Sequence, residues 1–215
     1  MSEARDFRLN RVFSNRLTAL FIKLPLTPNH ITSLSLVSGI LAGFFLSNGE
    51  YAAAVAGALF YQLSCVLDNC DGEVARAKNM RSKFGEWYDI TADFVVDLAL
   101  FTGMAAHMSR TDEGPARVLW ALCVIGGALH LGLVIFEKLK GFGPAVYEAP
   151  NARDAASDNF VLRFLDSVRE GDASWIVIVF ALIGQIPLLL WCVAVYMQIL
   201  WISSVVMNRR FFARP

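Results

Sequence analysis

Apolar residues gather in long runs that are separated by short polar segments along the 215 residues of the chain. A helix needs about 20 mostly apolar residues to cross the roughly 30 Å hydrocarbon core of a bilayer. The spacing of the runs predicts an all-α, polytopic integral membrane protein with six transmembrane helices. The predicted spans are approximately 31–46, 51–67, 84–108, 118–136, 173–184 and 187–207.

The stretch from 174 to 207 allows two interpretations. Its first part is short, so a separate fifth helix would have to start near Arg169, inside the interfacial region. A single bent crossing would give five spans instead, but the stretch holds 34 residues and is interrupted by Gly184, Gln185 and Pro187. The interruption favours six spans, with five as the alternative.

The distribution of basic residues predicts the orientation. With both termini in the cytoplasm, 17 of the 19 Lys and Arg residues lie on the cytoplasmic side, and only Arg110 and Arg117 lie outside. Such an excess is typical of cytoplasmic loops. We therefore expect an integral protein of a bacterial or archaeal cell membrane, with both termini cytoplasmic.

Residues 1–27 precede the first predicted span and are basic. Their apolar residues are spaced for one face of a helix, which is typical of an amphipathic helix lying on anionic lipid headgroups. These apolar residues are Leu9, Phe13, Leu17, Leu20, Phe21 and Leu24. The predicted organisation is an interfacial helix over 1–27, a six-span domain over 28–208 and a short basic tail over 209–215.

Composition excludes several classes of protein. Hydrophobic residues make up 56% of the chain, charged residues 18%, and the formal net charge is +0. These values exclude a disordered chain and a nucleic-acid binder with a basic face. The four cysteines lie in or beside apolar runs without metal-ligand spacing, so we interpret them as reduced packing residues.

Five aspartates occur in predicted membrane-spanning segments, where a carboxylate has a high free-energy cost. They lie at the end of the second span and in the first half of the third. Asp68 and Asp71 are three residues apart, whereas Asp89, Asp93 and Asp97 are spaced by four. On helices each set lies on a single face. The short segment that joins the two spans makes them antiparallel neighbours, so both sets are predicted to converge near the cytoplasmic interface.

Carboxylates packed together repel one another unless a cation compensates them. An all-oxygen ligand set without His or Cys suits Mg²⁺ or Mn²⁺, and four aspartates are sufficient for two ions. Small residues at Gly72, Ala75 and Gly85 leave room for a ligand near the backbone, and Arg76 offers a fork suited to diphosphate oxygens. The pattern indicates a site for a nucleotide diphosphate.

Together these residues form the motif DxxDGxxAR, which is followed, after a gap of eight residues, by GxxxDxxxD. This motif resembles the signature of the CDP-alcohol phosphatidyltransferase family, and Pro28, Asn29 and Thr32 resemble its PNxxT element. The local text DNCDGEVARAKNMRSKFGEWYD is similar to the branch of the family that uses inositol phosphates. The resemblance in sequence covers residues 28–97. Beyond residue 97, the chain resembles the family only in its number of predicted spans.

The resemblance implies an integral membrane enzyme with six spans, usually a homodimer surrounded by membrane lipids. Its active site is implied to open to the cytoplasm. Such enzymes transfer a phosphoalcohol unit from a CDP-alcohol donor to the hydroxyl of a small alcohol or phosphoalcohol acceptor and release CMP. Asp93 is implied to be the catalytic base that takes the acceptor proton. The implied metal ligands are Asp68, Asp71, Asp89 and Asp93. The implied contacts to CDP are Asn29, Thr32, Gly72, Ala75, Arg76, Ser82 and Gly85.

Some features lie outside this pattern. Many relatives carry an arginine directly after the last motif aspartate, where this chain has Phe94. Basic residues that could bind an acceptor phosphate are Lys83, Lys138, Lys140, Arg153, Arg163 and Arg169, although most of them are expected to serve only the orientation in the membrane. Asp97 is interpreted as either a supporting hydrogen-bond partner or an outer metal contact. The alternative functions are a cation transporter and a non-catalytic membrane scaffold.

Overall fold

A computed structural model describes residues 9–111, 114–139 and 174–212, and this part of the chain contains helices and no strand. The all-helical prediction is therefore confirmed. The helices are α1 (Leu9–Lys23), α2 (Pro28–Leu46), α3 (Tyr51–Ala77), α4 (Lys83–Thr111), α5 (Ala116–Leu139), α6 (Ser174–Leu182) and α7 (Ile186–Phe212).

Five of the described helices are long and apolar enough to cross a membrane. They cover Pro28–Leu46, Tyr51–Ala77, Lys83–Thr111, Ala116–Phe136 and Ile186–Val205. The predicted fifth span corresponds to α6, which has only 9 described residues and so extends about 14 Å at 1.5 Å per residue. The predicted start of that helix near Arg169 lies outside the described residues.

A glycine turn separates α6 from α7. Gly184 has φ of +69°, and its N–H donates to the carbonyl of Ala181, while the N–H of Gln185 donates to the carbonyl of Phe180 at 2.8 Å. This hydrogen-bond pattern is a Schellman motif, which ends a helix with a left-handed residue. The described residues between 174 and 207 thus form two helices. At the other end, α7 continues to Phe212, inside the segment predicted as a tail.

Small residues bring α2 and α4 into close contact. Gly39 and Gly43 on α2 face Val96, Ala99 and Gly103 on α4, and a Cβ atom added to Gly103 would lie 2.8 Å from the Cα of Gly43. Such small-residue spacing lets helix backbones approach within a membrane. The contact aligns the start of α2 with the first half of α4.

The helix α3 packs against α2, next to the contact of α2 with α4. Ser35 on α2 and Ser64 on α3 are both buried and exchange side-chain-to-backbone hydrogen bonds of 2.9 Å. After Ala77, the segment 78–82 leads directly into α4, so α3 and α4 are joined by a short connection as predicted. The helix α3 continues ten residues beyond the predicted end of its span at 67, and the added part carries Asp68 and Asp71 within a continuous helix.

A polar stripe on α1 faces α3. Asn10, Ser14 and Thr18 recur every four residues and are all buried. The hydroxyls of Ser14 and Thr18 donate to the two carboxylate oxygens of Glu73 on α3, at 3.0 Å and 2.6 Å. The side of α3 next to Gly72 is therefore held by α1.

The ends of α1 are fixed by further hydrogen bonds. The ammonium group of Lys78 donates to the carbonyls of Phe21, Leu24 and Leu26 at 3.1, 2.8 and 2.9 Å. A cation at this position complements the free carbonyls of a helix C-terminus. At the other end, the side-chain amide of Asn10 donates to Ser174 of α6 at 3.0 Å.

The apolar residues that predicted an interfacial helix divide between two environments. Phe13, Leu20 and Leu24 are exposed, at 46%, 53% and 40%. Leu17 and Phe21 instead pack against the buried cluster formed by α2 and α3. The first eight residues of the predicted helix lie outside the described residues.

Replacing Gly184 by alanine tests the turn between α6 and α7. The positive φ is unfavourable for a residue with a Cβ, although no atom lies within 4 Å of the added group. We expect a loss of about 1 kcal/mol, or about 2–4 °C in the unfolding temperature in detergent.

The matched control is Gly132→Ala, because Gly132 lies inside α5 with no atom of a described residue within 4 Å of an added Cβ. This change should leave stability unchanged or raise it slightly, since alanine favours helices. Equal unfolding temperatures for the two variants would contradict the assignment of the turn.

Candidate active site

Three carboxylates from α3 and α4 come together although the two helices, predicted as direct neighbours, pack mainly against α2 and other helices rather than against each other. Asp68, Asp71 and Asp89 each contribute one oxygen atom to a group whose members all lie within 4.8 Å of one another. Asp71 is buried, and the other two are half-buried. The predicted convergence of the two sets of aspartates therefore occurs for these three residues.

The surroundings of this carboxylate group suit a divalent cation. The Oδ1 atom of Asp89 is buried and has no hydrogen-bond partner among the residues that the structure describes. The Oδ2 atom of Asp71 accepts a hydrogen bond from the Thr32 hydroxyl at 2.5 Å, and such a partner orients a ligating carboxylate. An oxygen-only ligand set with one unpaired buried oxygen fits Mg²⁺ or Mn²⁺.

Asp93 and Asp97 lie farther along α4. Asp93 is exposed, and its carboxyl group lies within hydrogen-bonding reach of Asp68. Asp97 is half-buried, one turn beyond Asp93. Neither belongs to the three-carboxylate group found among the described residues.

A cavity of about 550 Å³ adjoins this carboxylate group, and we call it the polar cavity. Asp71 and Asp89 are in its wall, together with the beginning of α2 and the end of α3. All seven residues that the sequence associates with CDP line it. They are Asn29, Thr32, Gly72, Ala75, Arg76, Ser82 and Gly85.

The two glycines of this cavity have different surroundings. A Cβ added to Gly72 would meet only the Arg76 guanidinium, at 3.5 Å, so Gly72 leaves open space at the cavity floor. A Cβ added to Gly85 would lie 3.1 Å from Ser82 Oγ and 3.2 Å from Asn29 Oδ1. Gly85 therefore permits the close approach of α2 to the start of α4.

Two predicted contacts also serve the fold. Ser82 accepts a hydrogen bond from the backbone N–H of Gly85 at 3.0 Å, at the start of α4. The Thr32 hydroxyl already donates to Asp71. The family resemblance implied both positions, but these hydrogen bonds depend on the packing of α2 against α3 and on the turn before α4.

The structure adds charged residues to the wall of the polar cavity. Arg81 and Lys83 line it together with Arg76, so three cations share its wall with the carboxylates of Asp71, Glu86 and Asp89. Lys83 was considered for an acceptor phosphate, whereas Arg81 was assigned no site. Lys138, by contrast, donates to Glu86 and forms an ion pair with it. Lys140, Arg153, Arg163 and Arg169 lie outside the described residues.

A larger cavity of about 840 Å³ begins on the other side of the carboxylates, and we call it the wide cavity. Asp68, Asp93 and Asp97 are in its wall. The aspartates of α3 and α4 therefore separate two cavities, which the sequence did not predict.

Known proteins are similar to this chain in sequence. A family model described as CDP-alcohol phosphatidyltransferase matches residues 25–141, just over half of the chain. A "Bifunctional IPC transferase and DIPP synthase" of Aquifex aeolicus is 28% identical over 182 residues, or 84% of this chain. The protein of the same name from Thermococcus kodakarensis is 38% identical over 68% of this chain. A "Phosphatidylinositol phosphate synthase" of Corynebacterium glutamicum is 30% identical over 57% of this chain.

The matched regions cover 38%, 34% and 54% of the lengths of these three relatives, so this chain corresponds to part of each of them. The family match begins just before α2, ends just after α5, and includes every aspartate of the motif. The chain belongs to the CDP-alcohol phosphatidyltransferase family.

Proposed function

We propose that this protein transfers a phosphoalcohol unit from a CDP-alcohol to the hydroxyl of an acceptor alcohol and releases CMP. The observation that carries the proposal is the three-carboxylate group of Asp68, Asp71 and Asp89 at the edge of a polar cavity with three cations in its wall. Family membership supports the same reaction. Its physiological role would be phospholipid or inositol-phosphodiester synthesis.

The polar cavity is the proposed site of the CDP group. Arg76, Arg81 and Lys83 provide positive charge for the diphosphate, and guanidinium forks match phosphate oxygens well. Gly72 and Ala75 keep the floor of the cavity free of large side chains. Asn29, Thr32, Ser82 and Gly85 complete the proposed CDP contacts, with Thr32 acting chiefly through Asp71.

Asp68, Asp71 and Asp89 are the proposed ligands of Mg²⁺ or Mn²⁺, with Asp93 as a further ligand and two ions in total. The unpaired Oδ1 atom of Asp89 supports this assignment. When bound, such ions neutralise diphosphate charge and stabilise the leaving group. Asp71 is kept in a fixed orientation for this purpose by Thr32.

Asp93 is the proposed general base. Its carboxylate takes the proton of the acceptor hydroxyl, and the hydroxyl oxygen forms a bond to the β-phosphorus of the donor. The bond from that phosphorus to the bridging oxygen breaks, and CMP leaves with the electron pair. The exposure of Asp93 and its position next to Asp68 support this role.

We also propose how the chain is divided into segments and how it lies in the membrane. The unit from 28 to 208 is the transferase domain, with six spans if α6 begins before Ser174. Residues 1–27 lie at the membrane interface, supported by the exposed Phe13, Leu20 and Leu24. We further propose a homodimer in a bacterial or archaeal cell membrane, with the polar cavity and both termini on the cytoplasmic side.

Release of CMP from purified protein in detergent tests the reaction directly. CDP-diacylglycerol, CDP-inositol and CDP-glycerol would each be combined with a panel of acceptor alcohols, with and without Mg²⁺ or Mn²⁺. Metal-dependent release of CMP with one pair is the expected result. No release from any pair, together with no stabilisation of the protein by CDP, would contradict the proposed function.

Asp93→Asn should abolish turnover, because the amide keeps the shape of the side chain but cannot accept the proton. We expect kcat to fall at least about 100-fold, the usual range for loss of a general base. Stabilisation of the variant by CDP should persist, which separates lost chemistry from lost folding. A kcat close to that of the unchanged protein would exclude Asp93 as the base.

Gly72→Ala should weaken donor binding without disturbing the fold. The added methyl group fits at 3.5 Å from Arg76 but occupies the floor of the polar cavity. We expect the KM for the CDP-alcohol to rise about tenfold, as one methyl group in a fitted pocket can do. Gly132→Ala is the control, and equal KM values for the two variants would argue against CDP in this cavity.

Asp89→Asn should weaken metal binding, since it removes the charge of the carboxylate with the unpaired oxygen. Bound Mn²⁺, counted by electron paramagnetic resonance, should decrease relative to the unchanged protein. Glu50→Gln is the matched control, because it removes one carboxylate charge at the end of α3 opposite to Asp68 and Asp71. Equal Mn²⁺ binding by both variants would contradict the proposed ligands.

A further inference from the structure

Glu73 is a half-buried acidic residue inside the motif, at a position that the motif leaves open. Its neighbours Gly72 and Ala75 line the polar cavity, but Glu73 itself lines neither the polar nor the wide cavity. The proposed contacts to the metal ions and to CDP therefore do not use its carboxylate. Glu73 instead contacts α1.

Glu73 and Asp71 lie on opposite sides of α3. Successive residues of an α-helix are rotated by about 100°, so positions two apart differ by about 200°. On one side, the Thr32 hydroxyl of α2 donates to Asp71. On the other side, the hydroxyls of Ser14 and Thr18 of α1 donate to the two carboxylate oxygens of Glu73. One turn of α3 is thus held from both sides.

The contact between Glu73 and α1 has two points. Ser14 and Thr18 are one helical turn apart on α1, and each donates to a different oxygen of the same carboxylate. Hydrogen bonds to a charged oxygen are roughly twice as strong as those between neutral groups. Two such bonds restrict both the sliding of α1 along α3 and the rotation of this turn of α3 about the helix axis.

The attachment of α1 to the rest of the protein does not depend on Glu73. Lys78 binds three backbone carbonyls at the end of α1, and Asn10 accepts a hydrogen bond from Gln62 of α3 at 2.6 Å. Between these ends, Leu17 and Phe21 pack against the buried cluster of α2 and α3. Burying part of a carboxylate has a free-energy cost, which attachment alone does not require.

The turn that Glu73 holds carries parts of both proposed binding sites. Asp71 belongs to the three-carboxylate group, and Gly72 and Arg76 line the polar cavity. Functional side chains need to be held within about 0.5 Å of their productive positions, and a misplacement of about 1 Å can lower the rate about 100-fold. A rotation of this turn would displace the metal ligand and the cavity floor together.

We propose that Glu73 is a positioning residue, which fixes the rotation of α3 at the turn where the metal and CDP sites meet. Held by Ser14 and Thr18, it makes α1 a structural part of the active site in addition to an element at the membrane interface. Glu73 acts through Asp71 and Gly72 and does not itself touch metal or substrate. The inference rests on the proposed function, because it concerns the metal and donor sites assigned there.

Two changes at Glu73 separate hydrogen bonding from charge. Glu73→Leu has a side chain of similar size but removes both acceptor oxygens. Glu73→Gln removes the charge, while its amide can accept a hydrogen bond from one hydroxyl and donate one to the other. We therefore expect the leucine variant to be impaired and the glutamine variant to resemble the unchanged protein.

The same defect should arise from changes on α1. Ser14→Ala combined with Thr18→Val removes both donors, although neither residue lines the polar or the wide cavity. Thr18→Val alone keeps the shape of the side chain and provides the test if the larger changes fail to fold.

The matched control is Asn10→Ala, on the same buried stripe of α1. It removes hydrogen bonds to α3 and α6 and leaves those of Glu73 in place. Its partner Gln62 lies eleven residues before Glu73, or about 16 Å along α3. Asn10→Ala should therefore lower the unfolding temperature without altering either binding site.

Binding of Mn²⁺, measured by electron paramagnetic resonance on the purified full chain in detergent, is the first readout and needs no turnover. We expect the Kd for Mn²⁺ to rise about tenfold in Glu73→Leu and in the double variant of α1, as for other residues that orient metal ligands indirectly. Glu73→Gln and Asn10→Ala should keep the Kd of the unchanged protein.

Release of CMP, with the CDP-alcohol that the unchanged protein turns over, is the second readout. The KM for this donor should rise in the same variants in which the Kd for Mn²⁺ rises, because Gly72 and Asp71 share one turn. A variant that is only less stable would lose kcat in proportion to its folded fraction, and its folded molecules would keep both constants. The two effects are therefore distinguishable.

The outcomes separate the two proposals. Unchanged Kd and KM in Glu73→Leu or Thr18→Val, or the same increases in Asn10→Ala, would overturn the positioning role. Equal impairment of Glu73→Gln and Glu73→Leu would also overturn it, since charge would then matter and hydrogen bonding would not. Absence of CMP release and of stabilisation by CDP in the unchanged protein would overturn the transferase function, and Mn²⁺ binding would still decide whether Glu73 positions the metal ligands.

Discussion

The mutual repulsion of the carboxylates that α3 and α4 bring together is the constraint on which this structure depends. Asp68, Asp71 and Asp89 bring three carboxylate oxygens within 4.8 Å of one another. Isolated buried charges are costly and are tolerated where a cavity, a partner or an ion compensates them. The Asp89 oxygen that has no partner among the described residues fits compensation by a metal ion, and the cations of the polar cavity add positive charge nearby.

Holding these groups together requires helices that approach closely and do not shift. Gly43 and Gly103 let the backbones of α2 and α4 meet, and Thr32 connects α2 to Asp71 on α3. On the outer side, Glu73 binds two hydroxyls of α1, so α1 supports the same turn of α3 that carries Asp71 and Gly72. Packing of small residues and a few buried hydrogen bonds thus position the carboxylates.

The same row of aspartates separates two environments of opposite character. The polar cavity has Arg76, Arg81 and Lys83 in its wall, whereas the described wall of the wide cavity has aspartates, His130 and many large apolar residues but no Lys or Arg. The aspartates therefore lie between a strongly charged cavity and a mainly apolar one.

The sequence by itself determined the helical class, the family, and the positions that converge on the polar cavity, because hydropathy and the DxxDGxxAR spacing are local properties of the chain. All seven positions associated with CDP line one cavity. The tertiary structure alone decided that Thr32 holds Asp71, that Glu73 binds α1, and that a wide cavity with a mainly apolar wall lies beyond Asp93. These features depend on contacts between residues far apart in the sequence, such as Ser14 with Glu73, and helical periodicity within one segment carries no information about its partner.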